Sequence, residues 1–292
     1  MAAAILTGES QQVGSDHNRK RMATALRVVR SEGALAPIDE FGFDPRFTER
    51  IFPFVHWLYR NYWRVETEGV ENVPATGRAL LAANHAGVVP YDGAMIRTAI
   101  WAEHPQPRHA RMLVVDWAFL MPFTSEFLLR TGNVLAHPDN ATTLLEREEL
   151  VGVFPEGIKG ASKPYRERYR VRRFGRGGFV QVALRAGAPI VPVAVVGSEE
   201  VHPVLAEIPA LARLLGLPSF PITLTFPWLG LLGAIPLPSK WLIAFGPPFE
   251  TASLGPEAAD DPALVLELSE EVRAWIQSAL QRMLPRRKSI FY

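Results

Sequence analysis

The chain has 292 residues, of which 48% are hydrophobic and 21% charged, enough apolar material for one large α/β domain or two smaller ones and too much for a disordered or fibrous chain. It carries 31 Lys+Arg against 30 Asp+Glu, so no global charge recruits nucleic acid, and none is expected as a partner. The absence of cysteine excludes disulfides, thiolate metal sites and a cysteine nucleophile, and suits a reducing compartment.

Residues 1–45 are polar and then rich in Pro, Asp and Gly, which reads as a flexible arm and connector before a single domain over 46–292. The N-terminus lacks the basic start and apolar run of a secretion signal, and no stretch approaches the 18 or more apolar residues of a spanning helix. Between Phe47 and Trp63, Ile51, Phe54, Val55, Leu58, Tyr59 and Tyr62 recur at spacings of three and four, predicting an amphipathic helix dense in aromatics. Such a helix, assigned to 46–66 and flanked by Arg50, Arg60 and Arg64, suits either a membrane surface or ordinary core packing.

Short apolar runs then alternate with helical patterns. Strands are expected at Arg78–Ala83, Arg111–Val115, Val151–Phe154, Ile190–Val196 and Trp241–Phe245. Helices are expected at Gly93–Ala102, Phe119–Thr131, Ala141–Glu149 and Gly177–Ala186, with a closing helix over Ala263–Met283 inside 261–285. The alternation predicts an α/β fold with a largely parallel mixed sheet flanked by helices, the core spanning 78–250. The region 204–238 is rich in Pro and Leu and shows no clear period; its apolar part is a second candidate for lipid contact or for the wall of an acyl pocket.

Two strand ends carry chemistry. The first runs into Asn84-His85, placing an imidazole at the carboxyl end of a parallel strand, where open α/β sheets build their sites. A neutral imidazole can take a proton from a hydroxyl, and Asp92, beyond the turn containing Gly87, can hold its tautomer or simply cap the next helix. The second strand ends in Phe154-Pro155-Glu156-Gly157, whose carboxylate can bind a hydroxyl or pair with a cation. Eight cations, Lys159, Lys163, Arg166, Arg168, Arg170, Arg172, Arg173 and Arg176, then face Glu167 alone within 18 residues, a concentration that suits a phosphate-bearing ligand or a solvated basic loop. His104 and His109 sit among prolines without accompanying carboxylates, and no metal is expected there.

These blocks resemble the glycerolipid acyltransferase superfamily typified by lysophosphatidate acyltransferases. The family's first block, Asn-His-x4-Asp, is matched by Asn84, His85 and Asp92, and its third, Phe-Pro-Glu-Gly, by residues 154–157. The segment starting at Gly132 looks like its second block, and Ile190-Val191-Pro192-Val193 like its fourth. Two departures stand out. Six residues rather than four separate His85 from Asp92, and the second block's Arg is replaced around His137-Pro138. Both point to a branch similar to the bacterial monoacylglycerol acyltransferase-like proteins and to an acceptor less charged than lysophosphatidate.

The resemblance implies an enzyme that moves a fatty acyl group from acyl-CoA or acyl carrier protein, as co-substrate, to a hydroxyl of a glycerolipid or similar lipid alcohol, without a bound cofactor. His85 would be the general base and Asp92 its support. Asn84, Gly87, Gly132, Phe154, Pro155, Glu156 and Gly157 would line the substrate, and Lys159, Lys163 and Arg176 would meet the thioester carrier. It further implies a peripheral protein at the cytoplasmic face of a membrane. A lipid esterase or thioesterase, or a non-catalytic lipid-binding relative, are the alternatives.

Overall fold

The computed structural model describes residues 38–86, 89, 91–120, 124–214 and 220–291. Most of the expected arm, Gly87 and the middle of the 204–238 region therefore lie outside the described residues.

The sheet is built where the sequence concentrates buried β-branched and small apolar residues. Seven strands, β1 (Glu66–Glu68), β2 (Ala79–Ala83), β3 (Ala110–Val114), β4 (Val134–Leu135), β5 (Leu150–Val153), β6 (Ile190–Val196) and β9 (Leu242–Phe245), lie in the order β1-β9-β6-β2-β5-β3-β4. β7 (Val204–Glu207) and β8 (Pro221–Thr223) form a separate two-stranded sheet. Strands β6, β2, β5, β3 and β4 run parallel, whereas β9 is antiparallel to β6 and carries β1 parallel to itself. The sheet is thus mixed and largely parallel.

Every residue of β2 and β6 is buried, as expected for strands covered on both faces. Alternation sends Leu80, Ala82, Ile190, Ala194 and Val196 into one apolar cluster and Ala79, Leu81, Ala83, Val191, Val193 and Val195 into the other. The first cluster is closed by α5 (Pro138–Glu146), α7 (Gly178–Ala186) and α9 (Pro262–Met283), through side chains such as Leu144, Val180 and Ile276. The second is closed by Met95, Ile96 and Ile100 of α2 (Tyr91–Glu103), with Tyr59, Trp63 and Trp241.

Several elements differ from the sequence reading for identifiable reasons. The aromatic helix is α1 (Pro45–Trp57), capped by Asp44, whose carboxylate accepts from the Phe47 N–H at 3.0 Å; it continues as a π-helical turn over Leu58–Tyr62. The helix expected over Phe119–Thr131 is two, α3 (Asp116–Leu120) and α4 (Thr124–Arg130), and the sequence between them contains Pro122, which cannot donate to a helix ladder. The helix expected at Ala141–Glu149 starts and stops three residues earlier, because Pro138 suits a first helical position and Glu148 turns left-handed at φ 61°. β1, a Glu-Thr-Glu edge strand, gave no apolar signal. The region without a period holds β7, α8 (Pro209–Leu214), β8 and a 3-10 turn at Gly230–Ala234.

Among the described residues no helix is long and apolar enough to cross a membrane.

Candidate functional site

The site forms where β6, β2 and β5 lie side by side and all end at the same edge. The loop after β2 carries His85, and the loops after β5 and β6 flank it.

His85 Nδ1 lies 2.8 Å from Asp92 Oδ2, so the pair meets although six residues separate the two in the chain. Asp92 sits in the first turn of α2, one residue past its start, and its side chain is fully buried. Its Oδ2 also accepts from the Ala86 N–H at 3.1 Å, and its Oδ1 accepts from the Gly93 N–H at 2.9 Å. The N-terminal end of α2 further favours the negative charge. An ionised Asp92 holds the proton on Nδ1 and leaves Nε2 with its lone pair, the tautomer a general base needs. The His85 ring lies over Phe154, centroids 4.4 Å apart at 26°, and its side chain is 15% exposed, so the ring is held on one face and reachable at its edge.

Glu156 ties this loop to the next. Its Oε1 accepts from the His85 N–H at 3.0 Å and its Oε2 from the Arg172 N–H at 2.8 Å, with Lys163 Nζ 3.3 Å from Oε2. The side chain is fully buried. Both carboxylate oxygens are therefore engaged by the protein, and Glu156 fixes the backbone on which His85 sits while pairing with a cation, Lys163.

Gly157 makes the turn possible. Its φ of 57° with ψ −150° is a conformation open to glycine and closed to L-residues, and it starts the short helix α6 (Ile158–Ala161). Gly160 of α6 then passes so close that a Cβ there would stand 2.6 Å from Glu156 Cβ and 3.2 Å from His85 Cβ.

Other candidates are placed differently from the expectation. The Asn84 amide is buried and bridges β2 to β6, donating to Val195 O at 3.0 Å and accepting from Val195 N at 2.7 Å, so it extends the ladder. Gly132 precedes β4 at the level of Arg111, whose Nε donates to its carbonyl at 3.0 Å. Register pairs Arg111 with Val151 and Val151 with Leu80, so Gly132 lies on a level five residues short of His85 and away from the site edge. Lys163 is buried, with Nζ 3.0 Å from Glu199 Oε1 and donating to Arg170 O at 3.1 Å; it is a strut inside the protein, where a carrier phosphate contact was expected. Lys159 and Arg176 are exposed, as are Arg166, Arg168, Arg170 and Arg173, while Arg172 pairs with Glu167 at 2.8 Å.

The sequence reading missed Glu199, Glu200 and His202 on the loop after β6. Burial pushes the Glu199 carboxyl above the usual range, against the pull of Lys163, and the Tyr169 N–H donates to it at 2.5 Å. Glu200 pairs with Arg287 at 2.6 Å, which spends part of the basic tail inside the fold. The available signal was two carboxylates directly behind a fully apolar strand on the same edge as His85.

The site is thus an imidazole–carboxylate pair at the end of a central parallel strand with a Phe-Pro-Glu-Gly turn beside it. The model of the acyltransferase family matches residues 64–196. Uncharacterized proteins of Mycobacterium tuberculosis and Mycobacterium leprae are 49% and 48% identical over 256 residues, 87% of this chain and 72% and 70% of their own lengths. A bovine protein named as a DGAT1/2-independent enzyme synthesizing storage lipids is 27% identical over 128 residues, 44% of this chain and 37% of that one. The crystal structure of the 1-acyl-sn-glycerophosphate acyltransferase PlsC from Thermotoga maritima shares the fold at a TM-score of 0.54 and 18% identity, covering 83% of this chain and 81% of that one. Over residues 64–196 the chain thus matches the acyltransferase family, and its fold is the one seen in PlsC.

Proposed function

We propose that the protein transfers a fatty acyl group from acyl-CoA or acyl carrier protein to a hydroxyl of a glycerolipid or similar lipid alcohol, as a peripheral protein on the cytoplasmic face of a membrane. The 2.8 Å contact between His85 Nδ1 and the buried Asp92 is the observation that carries this reading. Nε2 of His85 takes the proton of the acceptor hydroxyl as its oxygen attacks the thioester carbonyl. The tetrahedral intermediate expels the thiolate, which takes the proton back from the imidazolium, so no acyl-enzyme forms. Asp92 stabilises the imidazolium while it lasts. The exposed cations Lys159, Arg166, Arg168, Arg173 and Arg176 supply charge for the phosphates of the carrier.

Support for a membrane surface comes from the exposed aromatic and aliphatic side chains. Phe54 and Trp57 stand out from α1, and Trp228, Leu229, Leu232 and Ile235 from the turn region that Tyr62 joins through a 2.5 Å hydrogen bond to Pro236 O. The test is transfer from radiolabelled acyl-CoA and acyl carrier protein to monoacylglycerol, diacylglycerol, lysophospholipids and long-chain alcohols. Esterified product that vanishes in His85→Ala supports the reading, and wild type no better than His85→Ala on any pair refutes it. Free fatty acid as sole product would make the protein a hydrolase.

A further inference from the structure

We propose that the C-terminal tail is the outer anchor of the base, and that Arg287 is a positioning residue for His85, acting through a buried chain of charges. The inference rests on the acyl-transfer reading for its purpose and on these contacts alone for its geometry. Beyond α9 and the turn Leu284–Arg286, the tail is laid against the chain entering β9: the Lys240 N–H donates to Ile290 O at 2.7 Å, and Arg64 Nη2 donates to Phe291 O at 2.6 Å. Arg287 turns inward there. Its Nη2 donates to Glu200 Oε1 at 2.6 Å and to Tyr169 Oη at 2.8 Å, and its Nη1 to Glu200 Oε2 and to Lys240 O, each at 3.1 Å.

From Glu200 the contacts lead to the base without a gap. Tyr169 donates its hydroxyl to Glu200 and its N–H to Glu199 at 2.5 Å. Glu199 Oε1 lies 3.0 Å from Lys163 Nζ, which stands 3.3 Å from Glu156 Oε2, and Glu156 Oε1 accepts from the His85 N–H at 3.0 Å. None of the five charged side chains, Arg287, Glu200, Glu199, Lys163 and Glu156, is more than 7% exposed. Water therefore screens none of these contacts, and a displaced charge at one end is felt by its neighbour.

Two features separate this chain from ordinary packing. Burying charges carries a desolvation cost that apolar side chains of the same volume would avoid, so its return lies in direction: each contact fixes where the next atom stands. Tyr169 holds φ 64°, in the left-handed region that favours glycine. Backbone strain of this kind persists only where the surroundings over-determine it, and it gathers at functional sites. Here Glu199 claims the Tyr169 amide, and Glu200 with Arg287 claims its hydroxyl. Arg286, one residue earlier, pairs instead with Glu68 of the edge strand β1 and takes no part in the chain.

The test follows full-length Arg287→Gln, Glu200→Gln and Arg286→Gln well below their thermal midpoints, where each is folded. NMR reports the His85 imidazole, assigned by the loss of its signals in His85→Ala, and acyl transfer gives kcat and KM. Arg287→Gln and Glu200→Gln should each displace the His85 signals and lower kcat at least about threefold, with KM within about twofold of wild type. Arg286→Gln should leave signals and kcat in place. Arg287→Gln combined with Glu156→Gln should lose less than the product of the two single losses, because both act on the same imidazole. The proposal is overturned by wild-type His85 signals in Arg287→Gln and Glu200→Gln even if their midpoints fall, by an unchanged kcat in both, or by strictly multiplicative losses. Should Arg287→Gln not fold, Tyr169→Phe, which keeps the ring and removes the hydroxyl, takes its place with the same expectations. Displaced His85 signals in a protein that transfers no acyl group would refute the enzymatic reading and leave the anchor standing.

Discussion

The backbone N–H of His85 donates to Oε1 of Glu156 at 3.0 Å, joining two motifs that are 71 residues apart in the chain. β2 and β5 are sheet neighbours with Ala82 opposite Val153, so the two turns leave the sheet together. Through this bond, the carboxylate of one motif fixes the position of the base in the other.

Glu156→Gln tests that linkage. The amide keeps one acceptor where the carboxylate has two, so either the His85 or the Arg172 N–H loses its partner in a buried place. An unsatisfied buried donor costs about 1–3 kcal/mol, so the thermal midpoint should fall by a few degrees. Acyl transfer should fall at least about tenfold, because the imidazole rides on the displaced backbone. A midpoint and a kcat both equal to wild type would show that Glu156 does not hold His85.

Asp92→Asn leaves the side-chain shape intact and removes the charge. The amide can present its NH₂ to Nδ1, which then places the proton on Nε2, the wrong tautomer for a base. A loss of about 100- to 10,000-fold in kcat is expected, with KM little changed. Equal losses in kcat and in lipid affinity would assign Asp92 to binding.

Gly160→Ala probes the close packing of α6 on the catalytic loop. Its Cβ would arrive 2.6 Å from that of Glu156 and 3.2 Å from that of His85, and neither neighbour is the free end of a flexible chain. Overpacking of this kind costs about 1–3 kcal/mol. Activity should fall together with the thermal midpoint, whereas Ile158→Ala, at an exposed position on the same helix, should leave the midpoint in place.

Much of this arrangement was legible in the sequence because strands buried on both faces are written as short apolar runs. Ala79–Ala83 and Ile190–Val196 are uniform in burial and were readable for that reason. His85, Asp92 and Glu156 were found by position at strand ends, and the first pair meets at 2.8 Å across an insert of unusual length. What the sequence could not tell was which charges are spent. Lys163 looks like its seven basic neighbours in the chain, yet it alone is drawn between Glu156 and Glu199, since the second of these partners is delivered by the loop after β6, far along the chain. Gly132 and Asn84 were similarly assigned by motif, and their contacts with Arg111 and Val195 depend on register between strands far apart in sequence.

Membrane docking predicts an additive effect at two separated aromatics. Trp57 on α1 and Trp228 near β8 are 51% and 70% exposed, and interfacial tryptophan is favoured at headgroup depth. Flotation with liposomes of mixed neutral and anionic lipid should weaken in Trp57→Ser and in Trp228→Ser, and more in the double variant. Hydrolysis or transfer of a short water-soluble thioester should stay at the wild-type rate, because neither residue contacts His85. Unchanged flotation in the double variant would refute docking through these two tryptophans, and no flotation of wild type would refute membrane docking itself.

Acid stability gives a prediction independent of the proposed chemistry. His109 is packed edge-on against Trp101 at 4.4 Å and Phe43 at 5.0 Å, and burial, with Arg97 and Arg111 nearby, pulls its pKa from 6.5 down to about 3. The folded protein therefore refuses a proton that the unfolded chain accepts once the pH drops below 6.5. Linkage then makes stability decline with falling pH across the window from 6.5 to about 3, and leaves it untouched above that window. The slope from this one group is at most about 1.4 kcal/mol per pH unit. His109→Phe keeps an aromatic ring between the same neighbours and removes the titration. Denaturant midpoints measured from pH 7.5 to 4 should converge for the two proteins at the neutral end and diverge in the variant's favour as acid is added. Parallel curves throughout would mean that His109 accepts its proton in the folded state.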